Sequence, residues 1–357
     1  MGIAMKEQDI KKDIITTLTD TLKDITFLKT KKGEVNSVKL SGIRPDALLE
    51  AEIKENQKRK ILLEIKSIGQ PRQIREAVNK LLRFTSMQSD IYGIIGAPYI
   101  SPAAAKICKE EGIGYLDLAG NCRLVFDTIY IVRENARNPF VRKRDLRSLY
   151  SPRASRVLRV LLNNPKTDWK MQALAKAAEV SIGQVANIKK LLGDREWIIE
   201  SKKGFKLKKP ADLLAEWSGN YTFRRNELQD FYCMSDIPTI EAKIAKECSE
   251  NKINYALTGF SGAARILPGI RYQRVMVFVS EIPDRLLRKA SLKEVSSGAN
   301  VTLLIPYDTG VFNGTKKCDD IPVVSAIQLY LDLRSYRGRG AEASQIIFEK
   351  VLSKSWS

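Results

Sequence analysis

Ser151-Pro152-Arg153-Ala154-Ser155-Arg156-Val157-Leu158-Arg159-Val160-Leu161-Leu162-Asn163-Asn164-Pro165, with its continuation to Pro210, is the stretch whose reading decides the fold. Val157, Leu158, Leu161 and Leu162 recur at helical spacing, and Arg153, Arg156 and Arg159 fall along the other side. Asn163-Asn164-Pro165 stops this helix. Residues 169–178 form a second helix, small and apolar enough to pack closely on a neighbour. Glu179-Val180-Ser181 is a tight connection with Ser181 placed as N-cap. The third helix, 182–193, is expected to bury Ile182, Val185, Ile188, Leu191 and Leu192. Gln184, Asn187 and Lys190 are then left facing outward, three residues apart. Residues 197–200 and 205–208 read as short strands around the turn Ser201-Lys202-Lys203-Gly204.

This order of elements predicts a winged helix-turn-helix. A recognition helix carrying Gln184, Asn187 and Lys190 can offer hydrogen bonds to base edges in the major groove, the wing lysines Lys202, Lys203 and Lys206 would meet phosphate, and Arg153 and Ser181 are further expected DNA contacts. A winged helix used only for protein–protein contact is the alternative. Charge favours DNA: residues 142–225 hold 20 Lys/Arg against 8 Asp/Glu, so +12 of the chain's +19 lies on under a quarter of its residues. A merely solvated surface mixes the two signs more evenly, whereas a clustered positive field is the footprint of phosphate binding.

Other bulk features narrow the classes. Length predicts two or three domains, and no apolar run approaches the ~18–20 residues of a membrane helix. Lys6, Glu7 and Asp9 interrupt any leader-like start, and Lys6 breaks the myristoylation pattern that Met-Gly would open. The five cysteines are scattered without a Cys-x-x-Cys pair, which fits buried thiols in a reducing cytoplasm. The chain has no histidine. That excludes Ser-His-Asp and Cys-His nucleophile systems and His-based zinc sites, leaving carboxylates, lysine, metal-bound water or a hydroxyl activated by lysine for any catalysis.

In the N-terminal third, residues 9–25 read as an amphipathic helix. Residues 47–53 and 60–65 read as a β-hairpin around the polar turn 54–59. Pro45-Asp46 opens the first strand and Glu64-Ile65-Lys66 closes the second, with Glu64 and Lys66 on one face. A turn centred near Asn56 would set Asp46 opposite Lys66. Two carboxylates could hold Mg²⁺ or Mn²⁺ and an ammonium could assist a bound water. A helix at 71–84, a strand at 91–97, a crossover helix at 103–110 and a strand at 114–118 complete a parallel unit. Ser101-Pro102 reads as a helix start. Asp117 stands at a strand end, where a turn role and a ligand role are both open.

Pro45, Asp46, Glu64 and Lys66, in this order and on this pair of strands, resemble the PD-(D/E)XK nuclease superfamily. The resemblance implies a restriction-endonuclease-like αβββαβ core, with Asp46 and Glu64 as metal ligands and Asp46, Glu64 and Lys66 catalytic if the site is active. It also implies a further acid from the first helix, for which Glu7, Asp13 and Asp20 are the candidates.

After the wing, Leu213, Leu214 and Trp217 mark one face of a clamping helix. Helix 239–250, strand 255–258, the turn Gly259-Phe260-Ser261-Gly262, helix 263–267, strand 274–279, helix 284–290, strand 301–305 and a final helix 341–352 give an α/β rhythm. Residues 210–221, 257–264, 323–333 and 337–343 look like the antitoxin half of type IV abortive-infection toxin–antitoxin pairs, the AbiEi-like proteins. That resemblance implies operator binding, autorepression and a nucleotidyltransferase-like C-terminal domain. Such transferases carry Asp-x-Asp on the strand after their Gly-Ser turn. Here that strand is Arg274-Val275-Met276-Val277-Phe278-Val279, so a binding or dimerisation domain lacking the catalytic acids is expected.

The expected whole is an α/β multidomain protein: a nuclease-like domain at 1–141, a winged helix with linker at 142–221, and a degenerate nucleotidyltransferase-like domain at 222–357. The leading expectation is a cytoplasmic, sequence-specific double-stranded DNA-binding regulator of antitoxin type, with a cognate toxin and a second copy as possible partners and no membrane. The alternative is a Mg²⁺- or Mn²⁺-dependent endonuclease that the winged helix targets to DNA. A pure scaffold is a third reading.

Overall fold

A computed structural model describes residues 6–33, 44–53, 57–86, 88–140, 149–267, 269–336 and 338–356. The hairpin turn at 54–56, the expected boundary at 141/142 and Arg337 lie outside them. The chain divides into two compact units, Met1–Asp145 with Gly193–Glu196, and Leu146–Leu192 with Trp197–Ser357. It is a mixed α/β protein. Among the described residues no helix is long and apolar enough to cross a membrane.

The first unit is built on a seven-stranded sheet whose spatial order follows the chain: β1 (Leu28–Lys32), β2 (Ala47–Ile53), β3 (Gln57–Ile65), β4 (Ile91–Ala97), β5 (Gly114–Asp117), β6 (Cys122–Phe126) and β7 (Ile129–Arg133). β3, β4 and β5 are parallel, and the remaining neighbours antiparallel. Each parallel step needs a crossover, supplied by α2 (Pro71–Thr85) and α3 (Pro102–Glu110). Two successive right-handed crossovers advancing in one direction put both helices on one face. Ile74, Ala77, Val78, Leu81, Phe84, Ala104 and Ile107 accordingly pack there on Leu48, Leu62 and Ile95. The alternate residues Leu49, Ala51, Leu63 and Ile94 face the other way, against Ile10, Ile14, Leu18 and Leu22 of α1 (Glu7–Lys23). Gly96 permits that approach, since a Cβ there would sit 2.3 Å from Ile14 Cγ2.

The β2–β3 hairpin forms, but its register differs from the expected one. Ala47 pairs with Leu63, which brings Asp46 level with Glu64 rather than Lys66. This pairing sets Leu48 against Leu62 and Leu49 against Ile61, filling both faces with apolar pairs, and burial of both faces fixes register. Ser101 caps α3 as read, its Oγ accepting from Ala104 N at 3.3 Å. Asp117 is buried in a turn, where it accepts from the amides of Ile100, Ala119 and Asn121 and from Asn121 Nδ2.

In the second unit, α4 (Pro152–Asn163), α5 (Met171–Ala177) and α6 (Ile182–Asp194) precede the hairpin β8 (Ile198–Ser201) and β9 (Gly204–Leu207). Next come α7 (Pro210–Gly219), β10 (Glu227–Tyr232), α8 (Ile237–Glu250), β11 (Tyr255–Leu257), α9 (Gly259–Ile266), β12 (Val275–Val279), α10 (Asp284–Lys289) and β13 (Lys293–Glu294). β14 (Val301–Ile305), β15 (Lys316–Cys318), β16 (Ile321–Val323), α11 (Ala326–Arg334), α12 (Gly340–Ile347), a π-helical segment Phe348–Leu352 and the short helix α13 (Ser353–Trp356) complete it. A second seven-stranded sheet runs β13-β10-β14-β12-β11-β16-β15. Residues assigned from sequence to a central and a C-terminal domain share one core: Leu158, Leu161, Leu213, Leu214 and Trp217 are continuous with Ile327, Leu331 and the strand residues of this sheet.

Three local expectations are corrected. Arg159 does not lie on the outer side of α4; it is fully buried. Ile182 is not core but 47% exposed, and Leu191 is half-buried, so α6 rests on Val185, Ile188 and Leu192. Gly259-Phe260-Ser261-Gly262 is no turn but the first part of α9, entered through Gly259 at φ +56°.

Candidate functional site

Ser181 Oγ accepts from Gln184 N at 3.2 Å, capping the start of α6 and fixing which side chains leave its first turns. Ser181, Ile182, Asn187 and Lys190 are exposed and Gln184 is half-buried. Arg153, Arg156, Lys176, Ser181 and Gln184 line one cavity of about 510 Å³. Arg156 is committed to Asp308 at 2.8 Å, and Glu179 stands 3.6 Å from it. Of the three α4 arginines read as outward, Arg153 alone is solvent-exposed.

The hairpin carries Lys202 and Lys203 at its exposed tip and Lys206, half-buried, on β9. These lysines do not line the Arg153 cavity. Trp169 extends the hairpin by a third short pairing with Phe205, through bonds of 2.8 and 3.1 Å. Gly204, at φ +144°, makes this possible: a Cβ there would meet Trp169 O at 2.4 Å. Lys189 is held by Glu200 at 2.6 Å and lies over the Phe205 ring, bracing α6 on the hairpin.

Beneath these elements lies a buried polar chain that sequence reading did not find. Arg159 donates to Gln328 Oε1 through Nε (3.1 Å) and Nη2 (2.6 Å) and to Ser155 Oγ at 2.9 Å. Gln328 Nε2 donates onward to Asp332 Oδ1 at 2.9 Å and to the Tyr221 hydroxyl at 2.8 Å. Asp332 also accepts from the hydroxyls of Tyr221 and Thr258, each at 2.5 Å. Burial pushes the Asp332 carboxyl up to about 6 against the pull of those three hydrogen bonds and of Arg159. Burial, with the neighbouring Asp332 charge, also raises the Tyr221 hydroxyl.

In the first unit, Asp46, Glu64 and Lys66 come together at the ends of β2 and β3. Asp46 Oδ2 accepts from Ile65 N at 2.8 Å, and Lys11 of α1 stands 3.6 Å from Oδ1. Glu64, only 3% exposed, is bound by Lys66 at 3.1 Å through Oε1 and by Lys80 of α2 at 2.6 Å through Oε2. Lys80 was missed from sequence. Glu7, Asp13 and Asp20 are exposed, and Lys11 is the α1 residue that reaches Asp46. Among the described residues no group of three or more His, Cys, Asp or Glu side chains is placed to hold a metal ion.

Residues 206–353 match the family described as transcriptional regulator, AbiEi antitoxin, type IV TA system. The match takes in α7, the second sheet and the closing helices, less than half of the chain. It supports a regulator or antitoxin role for the protein. No curated protein and no solved structure matches the chain.

Proposed function

We propose that this protein is a sequence-specific double-stranded DNA-binding regulator of the AbiEi antitoxin type, in which α4–α6 and the β8–β9 hairpin act as a winged helix. The observation that carries the reading is that Asn187 and Lys190, three residues apart, are both exposed on the helix that Ser181 caps. Asn187 has the bidentate amide that reads adenine, Lys190 can reach guanine, and exposed Ile182 suits a thymine methyl. Arg153, Ser181 and the tip lysines Lys202 and Lys203 serve phosphate, where helix N-termini and ammonium groups position a protein without reading sequence. The second sheet, whose strand Val275–Val279 is buried and has no carboxylate, serves as a platform for assembly or for a cognate toxin.

The test is binding of the full-length protein to a labelled duplex taken from upstream of its own reading frame, against a scrambled duplex, at one fixed salt concentration. Preference of roughly 10³-fold is expected. Equal affinity for both duplexes, or no retention at low salt, sinks the reading. Asn187→Ala should cost about 1–3 kcal/mol of discrimination at one base pair.

A further inference from the structure

We infer that the Glu64 centre of the first unit is neutralised by a built-in ammonium, Lys80, standing where the nuclease resemblance would put a divalent cation. The donor set carries this. A Mg²⁺ or Mn²⁺ site needs several oxygen ligands and a surplus of negative charge. Here two carboxylates face three ammonium groups, Lys11, Lys66 and Lys80, so a divalent ion would enter a cluster that is already net positive. Both Glu64 oxygens are engaged by lysines at 3.1 and 2.6 Å, and one Asp46 oxygen is taken by the Ile65 amide at 2.8 Å. The element that would add a further acid, α1, adds Lys11 instead.

Burial makes the substitution self-consistent. Glu64 is 3% exposed, and its two lysines are each 28% exposed. A carboxylate so placed is costly without a positive partner. Lys80 comes from a helix whose Ala77, Val78, Leu81 and Phe84 are packed on the sheet, so its stem is anchored and its ammonium stays at Glu64 with no metal present. The residues named for metal binding therefore do not fit a divalent cation, and Lys80 is the positioning residue that holds Glu64 in its place.

Manganese binding tests this without reference to activity. The full-length protein is titrated with Mn²⁺, and free ion is read by its paramagnetic resonance signal. The wild type should show no site that Glu64→Gln removes. Lys80→Gln takes away the charge but keeps a hydrogen-bonding side chain of similar reach. It should create one site on the order of tenfold tighter than background, about 1.4 kcal/mol, and that site should vanish in the Lys80→Gln/Glu64→Gln double variant. Lys80→Arg, which keeps the charge, should gain nothing. Thermal unfolding gives a second readout: Mn²⁺ should raise the midpoint of Lys80→Gln and leave the wild type unmoved. A wild-type site that Glu64→Gln abolishes overturns the inference, and so does a folded Lys80→Gln variant with no gain in either readout.

Discussion

Arg159 and Gln328, both fully buried, meet through two hydrogen bonds onto a single amide oxygen, at 3.1 and 2.6 Å. The amide nitrogen of Gln328 faces the Asp332 carboxylate on its other side. A buried guanidinium and a buried carboxylate are thus joined through one neutral side chain whose orientation both charges dictate. Each would be expensive alone, and together they tie α4 to α11. Trp217 of α7 adds its ring 5.1 Å from the Arg159 guanidinium carbon. The helices proposed to grip DNA are in this way fastened to the sheet platform of their own unit.

Removing one end of this chain should be more damaging than removing surface charge. Arg159→Met is expected to lower the stability of the second unit by about 3–5 kcal/mol, because Asp332 loses the buried cation that offsets its charge and Gln328 Oε1 loses the two donors Arg159 gives it. Chemical denaturation followed by tryptophan emission reads this, since Trp217 lies against the site. By contrast, Lys190→Ala, on the exposed face of α6, should change stability by less than about 0.5 kcal/mol.

Asp332 also predicts a dependence on pH. Its folded value, about 6, lies above the ordinary 3.8, so between these values the folded chain holds a proton that the unfolded chain has lost. Stability therefore falls as pH rises through this window. The penalty is complete above about 6 and absent below about 3.8. A shift of this size corresponds to roughly 3 kcal/mol in total. The groups facing Asp332 are Tyr221, Thr258 and Gln328, with the Arg159 charge beyond. Both hydroxyls can rotate to suit an amide, so Asp332→Asn should fold. Denaturation midpoints at pH 4, 5, 6 and 7 should show wild type gaining on Asp332→Asn as the pH is lowered. Parallel curves would remove the assignment.

How much of this was legible in the sequence follows from the physics of each element. Ala47–Ile53, Ile91–Ala97 and Val301–Ile305 were read with the ends they have; the last two are nearly unbroken runs without charge, as strands covered on both faces tend to be, and the first is apolar except at Glu50 and Glu52. The edge strand Leu28–Lys32 and the strand Glu227–Tyr232, which has only the two-residue β13 on its outer side, were not read, since their polar residues look like loop. Ile182 keeps helical phase with the core yet lies before the helix has come down onto it, so periodicity alone misplaced it. Arg159 was assigned outward by residue type, and its partner lies 169 positions away, where no local pattern reaches. Lys80 did leave a signal: it falls three residues after Ala77 and four before Phe84, on the margin of the buried stripe of α2. A lysine there asks for a buried carboxylate, which Glu64 supplies at 2.6 Å.

Gly204 is the backbone position on which the hairpin's geometry depends. At φ +144° an L side chain is strained, and a Cβ would lie 2.4 Å from Trp169 O. Gly204→Ala is expected to break the Trp169–Phe205 pairing at a cost of about 2 kcal/mol. Thermal unfolding reads the loss. Amide exchange at Trp169 and Phe205, whose N–H groups make that pairing, should quicken while exchange in the core of the second sheet stays slow.

The hairpin tip offers the sharpest electrostatic test. Lys202 and Lys203 are exposed on a two-residue turn, where they are free to track a phosphate backbone but not to read bases. Each phosphate contact releases condensed counterions and steepens the fall of log affinity with log salt by about 0.9 on duplex DNA. Replacing both lysines with alanine should therefore flatten that slope by about 2 and weaken binding to operator and scrambled duplexes by the same factor. Asn187→Ala should do the reverse, leaving the slope alone and eroding the preference. A salt slope unchanged by the double lysine variant would mean that the hairpin stays clear of the duplex, and a selective loss on the operator would make those lysines base readers.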